Sequence, residues 1–137
     1  MKRYVFDDLC IGMSTQFKRK IDGKIISGFA QVSGDFNPLH IDADYARRSG
    51  FRDQVVHGML CSSLFSELVG VHLPGEHCLL TDILVVFSKP VFVNDEVTID
   101  GSITQLSPAL KSAKIDAMIT NQNSEVCVRA TIGVVVR

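Results

Sequence analysis

The stretch His57–Gly70 constrains this chain more than any other. Met59, Leu60, Leu64, Phe65, Leu68 and Val69 fall at helical spacing and cover most of a helix circumference. The other positions are mainly small, at Cys61, Ser62, Ser63 and Ser66, and Glu67 is the one charge within the run. A helix with so little charged face has to be enclosed by protein. Its serines let a neighbouring backbone or a ligand come close, and Gly70 is expected to end it.

The enclosing material lies downstream. Residues Cys78–Phe87 form a long β-type run, broken by Lys89-Pro90, and Asn94-Asp95 makes a turn. Glu96–Leu106 alternates, with Val97, Ile99, Gly101 and Ile103 on one face, and Ala113–Thr120 alternates at Ala113, Ile115, Ala117 and Ile119. Ser124–Val136 is the last strand, with Gly101 and Gly133 placed to ease curvature. Upstream, residues 1–13 read as an extended leading segment and residues 14–21 as an edge strand around Phe17. Asp22 caps a helix whose apolar face is Ile25, Ile26, Phe29 and Val32, with Gly34 just past its end. A short helix follows from Asp42 to Gly50, and residues 51–56 are a connecting loop. The pattern predicts one α+β domain over residues 1–137, an antiparallel sheet wrapped around the central helix.

Composition excludes several classes. Fourteen basic and fifteen acidic residues are mixed along the chain, with no basic stripe, so no nucleic-acid partner is expected. Lys18-Arg19-Lys20 and Arg47-Arg48 are short clusters, either solvated faces or patches that meet ligand phosphates. No run approaches the ~20 apolar residues of a membrane span. The N-terminus lacks an apolar signal core, so a cytoplasmic protein is the expectation. Cys10, Cys61, Cys78 and Cys127 form no Cys-x-x-Cys pair and read as small thiols, three of them in apolar surroundings. His57, His72 and His77 lack ligand-like spacing, so no metal is expected.

The chemistry concentrates in Ser33-Gly-Asp-Phe-Asn-Pro-Leu-His40. Gly34 takes conformations other residues resist, and Pro38 fixes its own φ while holding Asn37 extended. By itself the segment also reads as an ordinary Asn-Pro turn, with Asp35 as a cap and His40 exposed. Three features converge, however. Asp35 and His40 share a rigid turn. Gly58 opens the buried helix, where free N–H groups and the positive dipole end receive developing negative charge. Ser66 lies two turns further along.

The run Phe29-Ala-x-Val-Ser-Gly-Asp-Phe-Asn-Pro-Leu-His-Ile-Asp-x-x-Tyr-Ala, followed by Val55-Val-His-Gly-Met-Leu, resembles the (R)-specific enoyl-CoA hydratases of the MaoC-like dehydratase group. The likeness continues through Ser62-Ser-Leu-Phe-Ser66, Leu73-Pro-Gly and Phe87-x-Lys-Pro-Val-Phe-Val-x-Asp-Glu-Val. The resemblance implies a hot-dog fold and a homodimer with sheets joined edge to edge. It implies reversible hydration of a trans-2-enoyl-CoA to an (R)-3-hydroxyacyl-CoA, with no cofactor, since CoA belongs to the substrate. It makes Asp35 the base that activates water and His40 its partner in proton transfer. An ordinary aspartate has a pKa of about 3.9, so this base is weak unless buried beside apolar groups.

Gly58 would offer its backbone N–H to the thioester oxygen, and Ser66 would orient the pair, although unaided Ser66 is a small residue in a packed helix. Asn37 either satisfies the turn's own backbone or supports the pair. Phe36, Leu39 and Phe51 are expected around the acyl chain, and His57 stays outside the catalytic set. The alternatives are a dehydratase acting on acyl carrier protein thioesters, a hot-dog thioesterase, and a non-catalytic acyl-thioester binding subunit.

Overall fold

The computed structural model describes residues 1–137. Strand β1 (Ser14–Lys20) leads into helix α1 (Gly23–Ser33), then α2 (Pro38–Ile41), α3 (Ala43–Arg48) and α4 (Gly58–Glu67). Strands β2 (Cys78–Phe87), β3 (Glu96–Ser107), β4 (Ser112–Thr120) and β5 (Val126–Val136) complete the chain. The five strands form one antiparallel sheet in the order β1-β3-β4-β5-β2. The expected hot-dog arrangement is present, and no helix is long and apolar enough to cross a membrane.

Alternation decides which sheet face meets α4. Val97, Ile99 and Ile103 of β3 and Ala113, Ile115, Ala117 and Ile119 of β4 are all buried. They pack with Leu60, Cys61, Phe65 and Leu68 in one hydrophobic cluster. Gly101 is the point of closest approach: a Cβ there would stand 2.6 Å from Leu68 Cδ2. Its role is therefore contact with the helix it faces as much as curvature.

The helical chain does not stop at Gly70. After Glu67 it continues as one π-helical turn, Leu68–His72, with Gly70 inside it. Leu68 and Val69 are buried, and their packing against the sheet outweighs the weak helix propensity of glycine. The enclosure of α4 is also incomplete in one chain. Met59 is 67% exposed, and with Ser62, Ser63 and Ser66 it lines a groove against Leu80, Ile83 and Val85 of β2.

Helix α1 forms as its signals dictate. Asp22 Oδ1 accepts from the Ile25 N–H at 3.0 Å, and Gly34 closes the helix at φ 76° with its N–H on Ala30 O. Its buried stripe differs from the expected one. Ile26 and Ala30 are buried, whereas Ile25 and Val32 are exposed. The i, i+4 pair faces the body of the protein, and the adjoining stripe has nothing over it. β1 is an edge strand, as expected, and carries charge. β2 is the opposite edge, and its apolar Leu79, Leu80, Leu84 and Val86 are exposed.

Candidate active site

The segment that carries Asp35 and His40 is built by short-range hydrogen bonds. Ser33 Oγ donates to Phe29 O (2.7 Å) and accepts from the Asp35 N–H (3.1 Å), which ties the turn to the end of α1. Asp35 Oδ1 accepts from the Asn37 N–H at 3.1 Å, and Asn37 Oδ1 accepts from the Leu39 N–H at 2.9 Å. Asn37 is thus the N-cap of α2, with Pro38 at the first helical position, where a missing N–H costs nothing. This short helix was not foreseen as a helix, and it carries His40. Asp42 Oδ1 then caps α3 through the Tyr45 N–H at 2.9 Å, as expected.

Two carbonyls settle the tautomers of the two histidines. His40 Nδ1 lies 2.6 Å from Val55 O. A carbonyl only accepts, so Nδ1 carries the hydrogen and Nε2 is left to exchange protons. That nitrogen lies 3.8 Å from Asp35 Oδ2. The gap is too long for a direct hydrogen bond and suits one bridging water at about 2.8 Å from each group. His57 Nε2 likewise donates to Asp35 O at 3.0 Å. The His57 ring is 2% exposed, stacks on His40 with centroids 3.9 Å apart, and meets Phe29 at 5.1 Å. One residue therefore holds the backbone of the acid and the ring of the imidazole. Sequence reasoning left it out, and the signal was its place between Val56 and Gly58 in the second motif. Its buried Nδ1 has no hydrogen-bond partner, a liability of about 1–3 kcal/mol that the packing around it must offset.

Asp35, His40 and His57 offer ligand atoms within 4.8 Å of one another, so a metal reading has to be weighed. A metal bound by imidazole sits in the ring plane about 2.1 Å from nitrogen. Rings stacked at 3.9 Å with 29° between their planes do not converge at that reach. The arrangement suits proton transfer through water better than joint ligation.

Beside the pair runs a cleft of about 320 Å³, lined by His40, Val55, Gly58, Cys61, Phe87 and Val91 among others. Gly58 is the first residue of α4, so its N–H has no acceptor within the helix. A Cβ there would touch the Phe87 ring at 3.1 Å. The structure thus brings Asp35, Asn37, His40 and Gly58 together. It places the others differently. Ser66 lines the separate apolar groove of about 340 Å³ with Phe29 and Met59. Phe36 is exposed, and neither it nor Leu39 nor Phe51 is among the walls of the cleft at His40.

Electrostatics narrow the chemistry. Burial pushes the Cys61 thiol up to about 12, so it stays neutral in the cleft wall and is no nucleophile. Burial also raises Cys78, to about 11, and Cys127. On the rim, the hydrogen bond between Lys89 and Glu125 raises the lysine and lowers the acid, holding both charged. The basic clusters are partly engaged within the protein: Arg19 pairs with Glu67, Lys18 with Glu96, and Arg47 with Asp44 and Asp53.

Known proteins resemble this chain in sequence and in fold. The profile of the MaoC-like domain matches residues 10–125. An (R)-specific enoyl-CoA hydratase of Aeromonas caviae is 36% identical over 118 residues, 86% of this chain and 88% of that protein. A mitochondrial 3-hydroxyacyl-[acyl-carrier-protein] dehydratase of Arabidopsis thaliana is 37% identical over 89 residues, 65% of this chain and 52% of that protein. The solved structure of the A. caviae (R)-hydratase superposes with a TM-score of 0.92 at 34% identity, covering 94% of this chain and 98% of that one. With a profile over most of its length and a relative matched nearly end to end, the chain belongs to the MaoC-like dehydratase family.

Proposed function

We propose that this protein reversibly hydrates trans-2-enoyl-CoA to (R)-3-hydroxyacyl-CoA, as a hydro-lyase. The observation that carries the reading is the His40 Nε2 to Asp35 Oδ2 separation of 3.8 Å, beside the cleft that Gly58 also lines. Asp35 takes a proton from a water as its oxygen attacks C3 of the enoyl group. The electron pair moves to the thioester oxygen, where the Gly58 N–H and the start of α4 stabilise it. The Asp35–His40 pair returns one proton to C2 for the one taken from water, which restores the pair. His40 exchanges protons only through Nε2, because Nδ1 is committed to Val55 O. Asn37 keeps α2, and so His40, in place. No metal or redox group is called on, and CoA is part of the substrate. The A. caviae relative named for this reaction supports the substrate class.

A homodimer completes the reading. β2 is an edge strand with apolar side chains exposed on both faces, next to the open groove of α4. A second copy paired edge to edge along β2 would bury them and would cover the groove that Ser66 lines. The proposed supporting role of Ser66, and those of Phe36, Leu39 and Phe51 around the acyl chain, belong to that covered state.

The test is loss of the enoyl-thioester absorbance of crotonyl-CoA, with the product's configuration determined. Formation of the (R)-3-hydroxy product is expected. Release of free CoA without hydroxyacyl product would instead make the protein a thioesterase. The Arabidopsis relative favours one second reading, dehydration on acyl carrier protein. Matched CoA and carrier-protein substrates distinguish the two, and no activity on any CoA ester would remove the first.

A further inference from the structure

The strip 52–56 supplies the carbonyl that orients His40, and its far end is tied to a buried acid outside the cleft. Asp95 is 3% exposed. Its Oδ1 accepts from Arg52 Nη2 (2.5 Å) and Gln122 Nε2 (2.9 Å), and its Oδ2 accepts from the Phe92 N–H (2.9 Å). The Arg52 guanidinium also lies over the Phe92 ring, 4.2 Å from its centroid.

Between this anchor and His40 the two strips are laced together. The Val93 N–H donates to Gln54 O at 3.0 Å, Val55 bridges Phe92, and the Val56 N–H donates to Val91 O at 2.8 Å. On its other side Val55 meets α2: its N–H donates to Leu39 O at 3.1 Å, and its carbonyl accepts from His40 Nδ1. The tautomer and direction of His40 therefore depend on Val55, and Val55 depends on a ladder that ends at Asp95.

We propose that Arg52 and Asp95 are positioning residues for proton transfer, acting on His40 through the Val55 carbonyl. A buried carboxylate is costly unless its oxygens are satisfied. Here three donors satisfy it, and one of them, Arg52, belongs to the strip that holds His40. Removing Arg52 leaves Asp95 its hydrogen bonds from Gln122 and the Phe92 N–H, while the strip loses its side-chain tie to the acid.

Arg52→Met tests this directly, since it keeps an apolar stem over Phe92 and removes the ion pair. The readout is the Nδ1–H proton of His40 by NMR in the unliganded protein, assigned by its absence in His40→Gln. It is expected to shift and exchange faster with solvent as the bond to Val55 loosens. kcat for enoyl-thioester hydration is expected to fall about tenfold with KM nearly unchanged, the signature of a misplaced catalytic group. The kinetic arm rests on the hydratase reading, whereas the NMR arm stands without it. A folded Arg52→Met protein with an unmoved His40 signal overturns the proposal, whether or not its unfolding midpoint or its rate has changed. Asp95→Asn serves as a second variant and is expected to move the same resonance.

Discussion

The two histidines of the site each donate a ring N–H to a backbone carbonyl but differ in what surrounds them. His40 sits on a four-residue helix, positioned by hydrogen bonds from its own turn and from Val55, with its side chain 14% exposed beside a half-exposed Asp35. His57 sits at the start of a ten-residue helix in the hydrophobic core, stacked beneath His40 and closed off from solvent. The contrast separates two tasks. Groups that are to exchange protons with water and substrate, the role proposed for Asp35 and His40, have to reach solvent and the cleft, so backbone hydrogen bonds position them. A group that only orients them can be buried, where packing adds to its one hydrogen bond, from His57 Nε2 to Asp35 O.

The largest effect expected from this contrast is on rate alone. Asp35→Asn and His40→Gln should each lower hydration by about 10²–10⁴-fold. Neither should move the unfolding midpoint much, because the asparagine still accepts from the Asn37 N–H and neither side chain is in the core. A rate within about tenfold of wild type breaks the acid–base assignment.

Substitution at His57 should affect the other quantity. His57→Ala is expected to cost about 2–3 kcal/mol in denaturant unfolding, against under about 1 kcal/mol for His40→Ala. Equal losses would erase the distinction between the two regions. Cys61, one turn further into α4, reports the same burial through pH. Its thiol is raised from the usual 9.0 to about 12, so the folded state keeps a proton that the unfolded chain releases. Stability is therefore fully present below pH 9 and falls as pH rises towards 12, by about 2 kcal/mol at pH 10.5. Denaturant curves of wild type and Cys61→Ala across that window should differ in slope, and parallel curves would refute the burial argument.

The smallest effect belongs to Gly58→Ala. The substitution keeps the backbone N–H, and the new Cβ meets a half-exposed Phe87 ring that can give by a few tenths of an ångström. Stability should stay within about 1 kcal/mol of wild type, while the narrowed cleft raises KM more than it lowers kcat. A collapse of kcat would mean that the ring cannot move.

Much of this was legible in the chain. The alternation of β3 and β4 named the residues that bury against the helix, Asp22 and Gly34 marked the ends of α1, and Gly-Asp-x-Asn-Pro-x-His with Val-His-Gly-Met placed Asp35, His40 and Gly58. What was not legible depended on contacts distant in sequence. Val32 fits the helical stripe yet faces solvent, because nothing in one chain covers that side of α1. Gly70 looked like a terminator, but the burial of Leu68 and Val69 carries the helix past it. Ser66 has helical spacing from Gly58 but turns to a different groove, since two turns of helix rotate it away from the cleft.

The sequence by itself determined which groups could do chemistry and which segments would form helix or strand, because local propensity and periodicity act over a few residues. Only the tertiary structure decided how those groups are held. The Val55 carbonyl that selects the tautomer of His40, the His57 ring beneath it, and the Asp95 carboxylate that anchors the strip are each 15 or more residues from what they act on. Their positions follow from how the sheet closes on α4, and no pattern of nearby residues encodes that closure.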